Sequence, residues 1–225
     1  MKNKELIIYH WSISIIEKPK YGLGKPYNDY GLGFYCTESL DLAKEWAVTK
    51  DQSGFANKYS LDLTGLKILD LSKTGNVLHW ITLLLKNRFF NIKSEIAKAG
   101  KQYLIKNFSL PVEEYDIIKG YRADDSYFAY AEGFLNNTIS VRTLKEALRL
   151  GNLGEQVVLI SKKAFSQLTF LGFEKAETSI YYPSRERRNN KAREDFIKSK
   201  VAGFKEDDIF LNDIMKGIKN DDPRL

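Results

Sequence analysis

The chain has 225 residues, of which 43% are apolar and 28% charged, and it carries a formal net charge of +6. That apolar content is enough to build a core and excludes disorder over most of the length. The lone Cys36 excludes a disulfide scaffold, and with two histidines it leaves too few soft ligands for an ordinary structural zinc site, so no metal is expected.

No apolar run approaches the roughly 20 residues that cross a bilayer, and Met1 to Tyr9 lacks a signal-peptide pattern. The expectation is a cytoplasmic protein with no membrane partner. The charge is uneven. Residues 86–106 and 181–205 each carry a net +5, so the rest of the chain carries −4. Solvated helix faces are the ordinary reading of such stretches, and a polyanion-binding surface is the alternative.

In chain order, Glu5 to His10 is a short apolar run and reads as a strand. Lys18 to Asn28 holds Pro19, Gly22, Gly24 and Pro26 and reads as a loop. Tyr30 to Thr37 is a glycine-kinked turn entering a strand, and Ser39 caps a helix with Leu42, Ala43, Trp46 and Ala47 on its apolar face. Asn57 to Leu63 alternates with period two and is a strand; Leu66 to Leu71 is a short extended piece. From Asn76, Val77, Trp80, Ile81, Leu84 and Leu85 recur at helical spacing. Residues 86–106 follow as loop and helix.

Tyr115 to Tyr121 is a strand running into Arg122-Ala-Asp-Asp125. Helices are expected near 126–136 and 140–150, the second capped by Ser140 and stopped by Gly151. Glu155 to Ser161 is a strand, Lys162 to Leu168 a short helix or turn, and Thr169 to Phe173 a last strand. Residues 184–200 are basic and helix-prone. Residues 206–225 are acidic, with Ile209, Phe210, Ile214, Met215 and Ile218 at helical spacing, which suits docking onto the body. Strands and helices mix without regular β-α-β alternation, so the class is α+β. Residues 1–180 form the expected domain and 181–225 a basic, then acidic, helical tail.

Cys36 in a strand reads as a small buried hydrophobe. His79, beside Trp80 in an apolar helix, reads as structural. His10 differs: it ends a strand beside an irregular segment, where ligand groups collect.

Tyr9-His-Trp-Ser12, then Asp29-Tyr-Gly-Leu-Gly-Phe-Tyr-Cys-Thr37, then the strand-opening Glu155-Gln156 resemble, in this order, the His-Tyr-Glu group of ADP-ribosyltransferases, the kind related to poly(ADP-ribose) polymerases and diphtheria toxin. More closely, these stretches resemble a bacterial family assigned to that superfamily, domain-of-unknown-function family 3990. Trp80 with Asn87-Arg88 and Tyr115 to Asp125 add to that likeness, which covers about residues 10–170. The resemblance implies a split antiparallel β-sandwich core with peripheral helices. It implies NAD as a substrate and a macromolecular acceptor, protein or nucleic acid. It also implies use as a toxin or effector, with an antitoxin or immunity protein as a further partner.

By the same resemblance His10 holds ribose hydroxyls, Ser12 lies near the nicotinamide side and Tyr35 stacks on the nicotinamide ring. Gly31 and Gly33 let the backbone approach NAD. A carboxylate at Glu155 faces the ribose cation formed as the nicotinamide–ribose bond breaks. The closer family aligns a glutamine at Gln156 instead. The two residues point to opposite faces of a strand, so one of them faces the pocket; with Gln156 inward, Asp124 or Asp125 would have to supply the acid. Trp11 stands where the group usually has glycine. A non-catalytic nucleotide- or RNA-binding module is the alternative function, and an RNA 2′-phosphotransferase ranks last for want of a second placed histidine. Both basic stretches lie outside the three motifs, so they are expected to serve the acceptor, a partner or solubility rather than NAD.

Overall fold

Seven strands divide into two sheets. In the computed structural model, which describes residues 5–73, 76–123, 125–147, 154–201, 203–218, 222 and 224–225, β1 (Glu5–Ser12), β3 (Gly54–Asp62) and β7 (Leu168–Ala176) form a sheet in the order β1-β3-β7. Its pairings are antiparallel, and β3 runs against β7 from Gly54↔Ala176 to Leu61↔Leu168. The second sheet has the order β2-β6-β5-β4, from β2 (Phe34–Cys36), β6 (Glu155–Leu159), β5 (Ile117–Tyr121) and β4 (Ile68–Asp70).

The antiparallel expectation fails at one edge, where β4 pairs with β5 in parallel. The chain leaves β4 through α2 (Val77–Asn87) and α3 (Glu95–Phe108) before reaching β5. A helical crossover of this length returns a strand in the same direction, which a tight turn cannot do.

Period-two alternation sorts the second sheet into two faces. Phe34, Cys36, Ile117, Val157 and Leu159 pack with Ile8, Tyr59 and Leu61 of the first sheet. Tyr35, Ile118 and Val158 face the other way, into a larger core built from helices. The layers are therefore sheet, sheet and helices. The molecule is α+β, with eight α-helices among the described residues.

Side-chain caps start several of these helices. Ser39 Oγ accepts from the Leu42 N–H at 3.3 Å at the head of α1 (Leu40–Ala47). Asn76 and Ser94 do the same for α2 and α3. Ser140 Oγ accepts from the Thr143 N–H at 3.2 Å at the head of α5 (Val141–Ala147), which follows α4 (Asp125–Leu135). Ser161 caps α6 (Lys162–Ser166). The stop at Gly151 lies outside the described residues. Such caps satisfy N–H groups that the helix itself cannot.

The helix expected over 184–200 is longer: α7 spans Thr178–Val201 and contains Pro183. Its first turns are held from outside the helix. The Thr178 N–H donates to Ser53 Oγ, and Thr178 Oγ1 donates to the carbonyls of Thr49 and Gln52. Further along, Arg188 grips the buried Glu45 of α1 with two hydrogen bonds of 2.8 and 3.0 Å, and Ala192 is buried. α8 (Leu211–Met215) continues the tail into the helical core, where Ile209, Leu211 and Ile214 are buried. Leu211 lies over Gly100 of α3, where a Cβ would come within 2.4 Å of Leu211 Cδ2. Arg142 clasps Asp208 through two bonds of 2.8 Å.

Tail and body thus share one core. Leu211→Ala is expected to lower the unfolding free energy by about 2–4 kcal/mol through loss of transfer energy and a cavity. Urea denaturation followed by circular dichroism and tryptophan fluorescence should show one shifted transition. A separate early transition of the tail would contradict the shared core.

Candidate functional site

Besides packing face to face, the two sheets are joined backbone to backbone, among the described residues, at one isolated bridge, Tyr9↔Thr37, with N–H···O distances of 2.8 and 3.0 Å. Beyond it β1 and β2 part, and a cleft of about 1010 Å³ opens between them. The end of β1, the 18–25 loop, the start of β2, Arg122-Ala123, part of β6 and one face of α7 line it.

His10 stands at the mouth of this divergence. Its Nδ1 is 2.8 Å from the Tyr35 carbonyl oxygen. A carbonyl only accepts, so Nδ1 carries the proton. The ring stacks on Phe34 with centroids 4.2 Å apart. Desolvation lowers its pKa from 6.5 to about 4, against the smaller raising effect of the Tyr35 carbonyl. The imidazole is therefore neutral at pH 7, and Nε2 carries a lone pair able to accept from a ligand hydroxyl.

Tyr35 is buried, and its hydroxyl closes the preceding turn: it donates to the Gly31 carbonyl at 2.7 Å and accepts from the Tyr30 N–H at 3.0 Å. Burial pushes this phenol well above its ordinary range. The turn needs Gly31, whose φ is +77°. At Gly33 the requirement is different. A Cβ there would fall 2.5 Å from Val158 Cγ1 and 3.0 Å from the Leu159 carbonyl oxygen, so its bareness lets β2 lie against β6. Gly33 also lines the cleft.

The turn rests on a frame that sequence reading did not assign. Trp80 Nε1 donates to the Tyr30 hydroxyl at 3.0 Å, and that hydroxyl donates to the Tyr121 carbonyl. Gly120 makes room: a Cβ there would lie 2.5 Å from the Tyr30 oxygen. Asn87 Nδ2 donates to the Asp29 carbonyl at 3.2 Å, Asp29 Oδ2 accepts from the Ala123 N–H at 3.1 Å, and Arg88 Nε lies 3.7 Å from Asp29 Oδ1. Across the cleft the buried Asn57 donates to Ser12 Oγ at 3.2 Å and to the His10 carbonyl at 3.3 Å, and accepts from the Ile16 N–H at 2.9 Å. Ser12 lines the cleft, with its hydroxyl bonded to this asparagine and to the Ser14 carbonyl.

The β6 register decides which neighbour faces inward. Val158 pairs with Tyr35 and Gln156 with Gly120, so Gln156 shares the Tyr35 face. Gln156 is 3% exposed, lines the cleft, and its Oε1 has no hydrogen-bond partner among the described residues. Glu155 points to the other face and pairs with Lys119 at 3.2 Å, which also holds Glu38. Asp125 opens α4, but its side chain and the whole of Asp124 lie outside the described residues. His10, Ser12, Gly31 (through its turn), Gly33, Tyr35 and Gln156 thus gather at one place, and Glu155 does not.

Trp11 turns edge-on to Trp46, with centroids 4.6 Å apart, and the Arg122 guanidinium lies 4.4 Å over the Trp46 ring. Both basic stretches reach this site. Arg88 of the first stretch and Arg185 and Arg193 of the second line the same cleft, with Arg122 beside them. Asp29 is the one carboxylate among the described lining residues, and it is already bonded. Arg88 and Arg122 carried a weak sequence signal, a pair after an apolar helix and the end of a strand. The α7 arginines stood out only as part of the basic 181–205 stretch, and which of them face the cleft follows from the docking face of that helix. Among the described residues no group of three or more His, Cys, Asp or Glu could hold a metal ion, and no helix is long and apolar enough to cross a membrane. Cys36 and His79 are structural: Cys36 is fully buried, and His79 Nδ1 donates to the Phe108 carbonyl at 2.9 Å.

Frame and site together define an α+β domain with a cationic, aromatic-lined cleft beside the point where its two sheets separate. The chain belongs to the family described as Protein of unknown function (DUF3990), whose model matches residues 6–170. No curated protein and no solved structure matches it.

A nitrogen-detected NMR titration should find His10 as the Nδ1–H tautomer, protonating near pH 4 rather than 6.5. Because the unfolded histidine binds a proton first, the stability from keeping His10 neutral is complete above about pH 6.5. It is lost as pH falls towards about 4. A midpoint near 6.5 would show an open, solvated ring.

Proposed function

We propose that this cleft binds NAD and that the protein is an NAD-dependent ADP-ribosyltransferase acting on a macromolecule. The observation that carries the reading is convergence. His10, Tyr35 and Gln156 come from three distant motifs and meet in one cleft. Its other charged lining is mostly cationic, which suits a pyrophosphate. The cleft volume is at the top of the usual small-molecule range of about 300–1,000 Å³, room for a dinucleotide.

The chemistry follows from the lining. His10 Nε2 and Gln156 Oε1 are acceptors, matched to ribose hydroxyls. When the bond from nicotinamide nitrogen to ribose C1′ breaks, its electron pair stays on that nitrogen and cancels its charge. The positive charge passes to the ribose, and an acceptor O–H or N–H then adds at C1′ and gives its proton to water. Gln156 offers this cation an amide dipole in place of a full negative charge, a weaker stabiliser. Turnover is therefore slow unless the acceptor, or a carboxylate beyond the described lining, supplies the missing charge.

That same observation favours a second reading, a non-catalytic nucleotide- or RNA-binding module, and one experiment separates the two. Calorimetry with NAD should show binding that His10→Ala weakens by about tenfold, the loss of one good hydrogen bond. Nicotinamide release, or ADP-ribose found by mass spectrometry on lysate components, should accompany it, and Gln156→Glu should raise that release by about tenfold or more. Binding with no release in wild type or Gln156→Glu would support the module. No NAD binding would remove the transferase reading.

A further inference from the structure

We propose that α7 supplies the cleft with a phosphate subsite, formed by Arg185, Asn189 and Arg193. These three recur at every fourth position, which on a helix is one face spanning about 12 Å. All three line the cleft, and they lie beyond the 6–170 segment that the family model matches. The subsite therefore lies outside the matched segment. It rests on the cleft taking a phosphate-bearing ligand and does not require that NAD be cleaved.

The rotation of α7 is set by contacts on its other sides. Arg188 is held by the buried Glu45, Ala192 is buried in the helical core, and Thr178 ties the helix start to the turn at residues 49–53. With these fixed, the 185/189/193 row cannot turn away from the cleft. One guanidinium nitrogen of Arg185 donates to the Val48 carbonyl, which anchors the side chain and leaves its other donors for a ligand. Arg193 is exposed, and the Asn189 amide lies between the two arginines. Lys18, Lys20 and Lys25 of the 18–25 loop line the same cleft.

A rigid helix presenting two forked cations and an amide, in a cleft also lined by lysines, matches the oxygen geometry of phosphate esters. Two sources could present such a group: the nucleotide bound in the cleft, or a phosphodiester acceptor approaching it.

The test compares two charge reversals on one helix. Arg193→Glu alters the cleft row; Arg187→Glu makes the same charge change on an exposed residue that does not line the cleft. Binding of ADP and of inorganic pyrophosphate to the full-length protein is measured by calorimetry. Binding of an eight-nucleotide oligothymidylate to ADP-saturated protein is measured by fluorescence anisotropy. Arg193→Glu is expected to weaken at least one class of probe by about tenfold or more, with Arg187→Glu within twofold of wild type. A loss for ADP and pyrophosphate assigns the row to the nucleotide's own phosphates. A loss confined to the oligonucleotide assigns it to the acceptor.

Equal effects of the two variants would mean a diffuse field and overturn the subsite, as would no effect of Arg193→Glu or no binding of any probe by wild type. Circular dichroism and the urea midpoint of both variants confirm that they are folded. Pyrophosphate bound through Arg193 by a protein that does not bind NAD would sink the transferase reading and leave the subsite standing. NAD bound by a protein in which Arg193→Glu weakens none of the probes would do the reverse.

Discussion

Everything in the site depends on how briefly the backbones of the two sheets are hydrogen-bonded to each other. β1 and β2 share the Tyr9–Thr37 bridge and the hydrogen bond from His10 to the Tyr35 carbonyl, and then diverge. The His10–Tyr35 bond ties the tautomer of the imidazole to the position of β2. The histidine is thus a structural strut on one side of its ring and a free acceptor on the other.

The electrostatics follow from this packing. The cleft walls hold cations that are anchored from outside: Arg88 near Asp29, Arg122 on the Trp46 face, Arg185 on the Val48 carbonyl. Tyr35 and Gln156 are buried beside the cleft, and the one carboxylate of the described lining, Asp29, is bonded to the frame. In the proposed reading, fixed positive groups beside neutral acceptors suit a ligand that is anionic in one part and rich in hydroxyls in another, as a nucleotide is.

Much of the frame was legible in the sequence because its signals are local. Ser39 and Ser140 as caps, the alternation of Asn57 to Leu63 and the apolar face from Val77 to Leu85 act within a few residues. The phase of a strand is not local. Glu155 and Gln156 were known to point opposite ways, but pairing with Gly120 and Tyr121 on β5, and of Val158 with Tyr35, decides which points inward. The parallel β4–β5 edge and the start of α7 ahead of Pro183 were likewise set by distant partners. So was the arrival of Arg185 and Arg193 at the cleft, since nothing in their own segment marks which face docks.

The register of β3 against β7 bears on where this protein can be divided. The family segment ends at residue 170, inside β7, whose pairing with β3 runs on to Gly54↔Ala176. A chain stopped at that boundary would keep the partners of Tyr59, Ser60 and Leu61 and strip those of residues 54–58. Half of β3 would become a raw sheet edge, with Phe55 deprived of its Phe173 neighbour. Unpaired edges of this kind invite strand exchange and aggregation. The segment that the family model matches is therefore shorter than the sheet it helps to build.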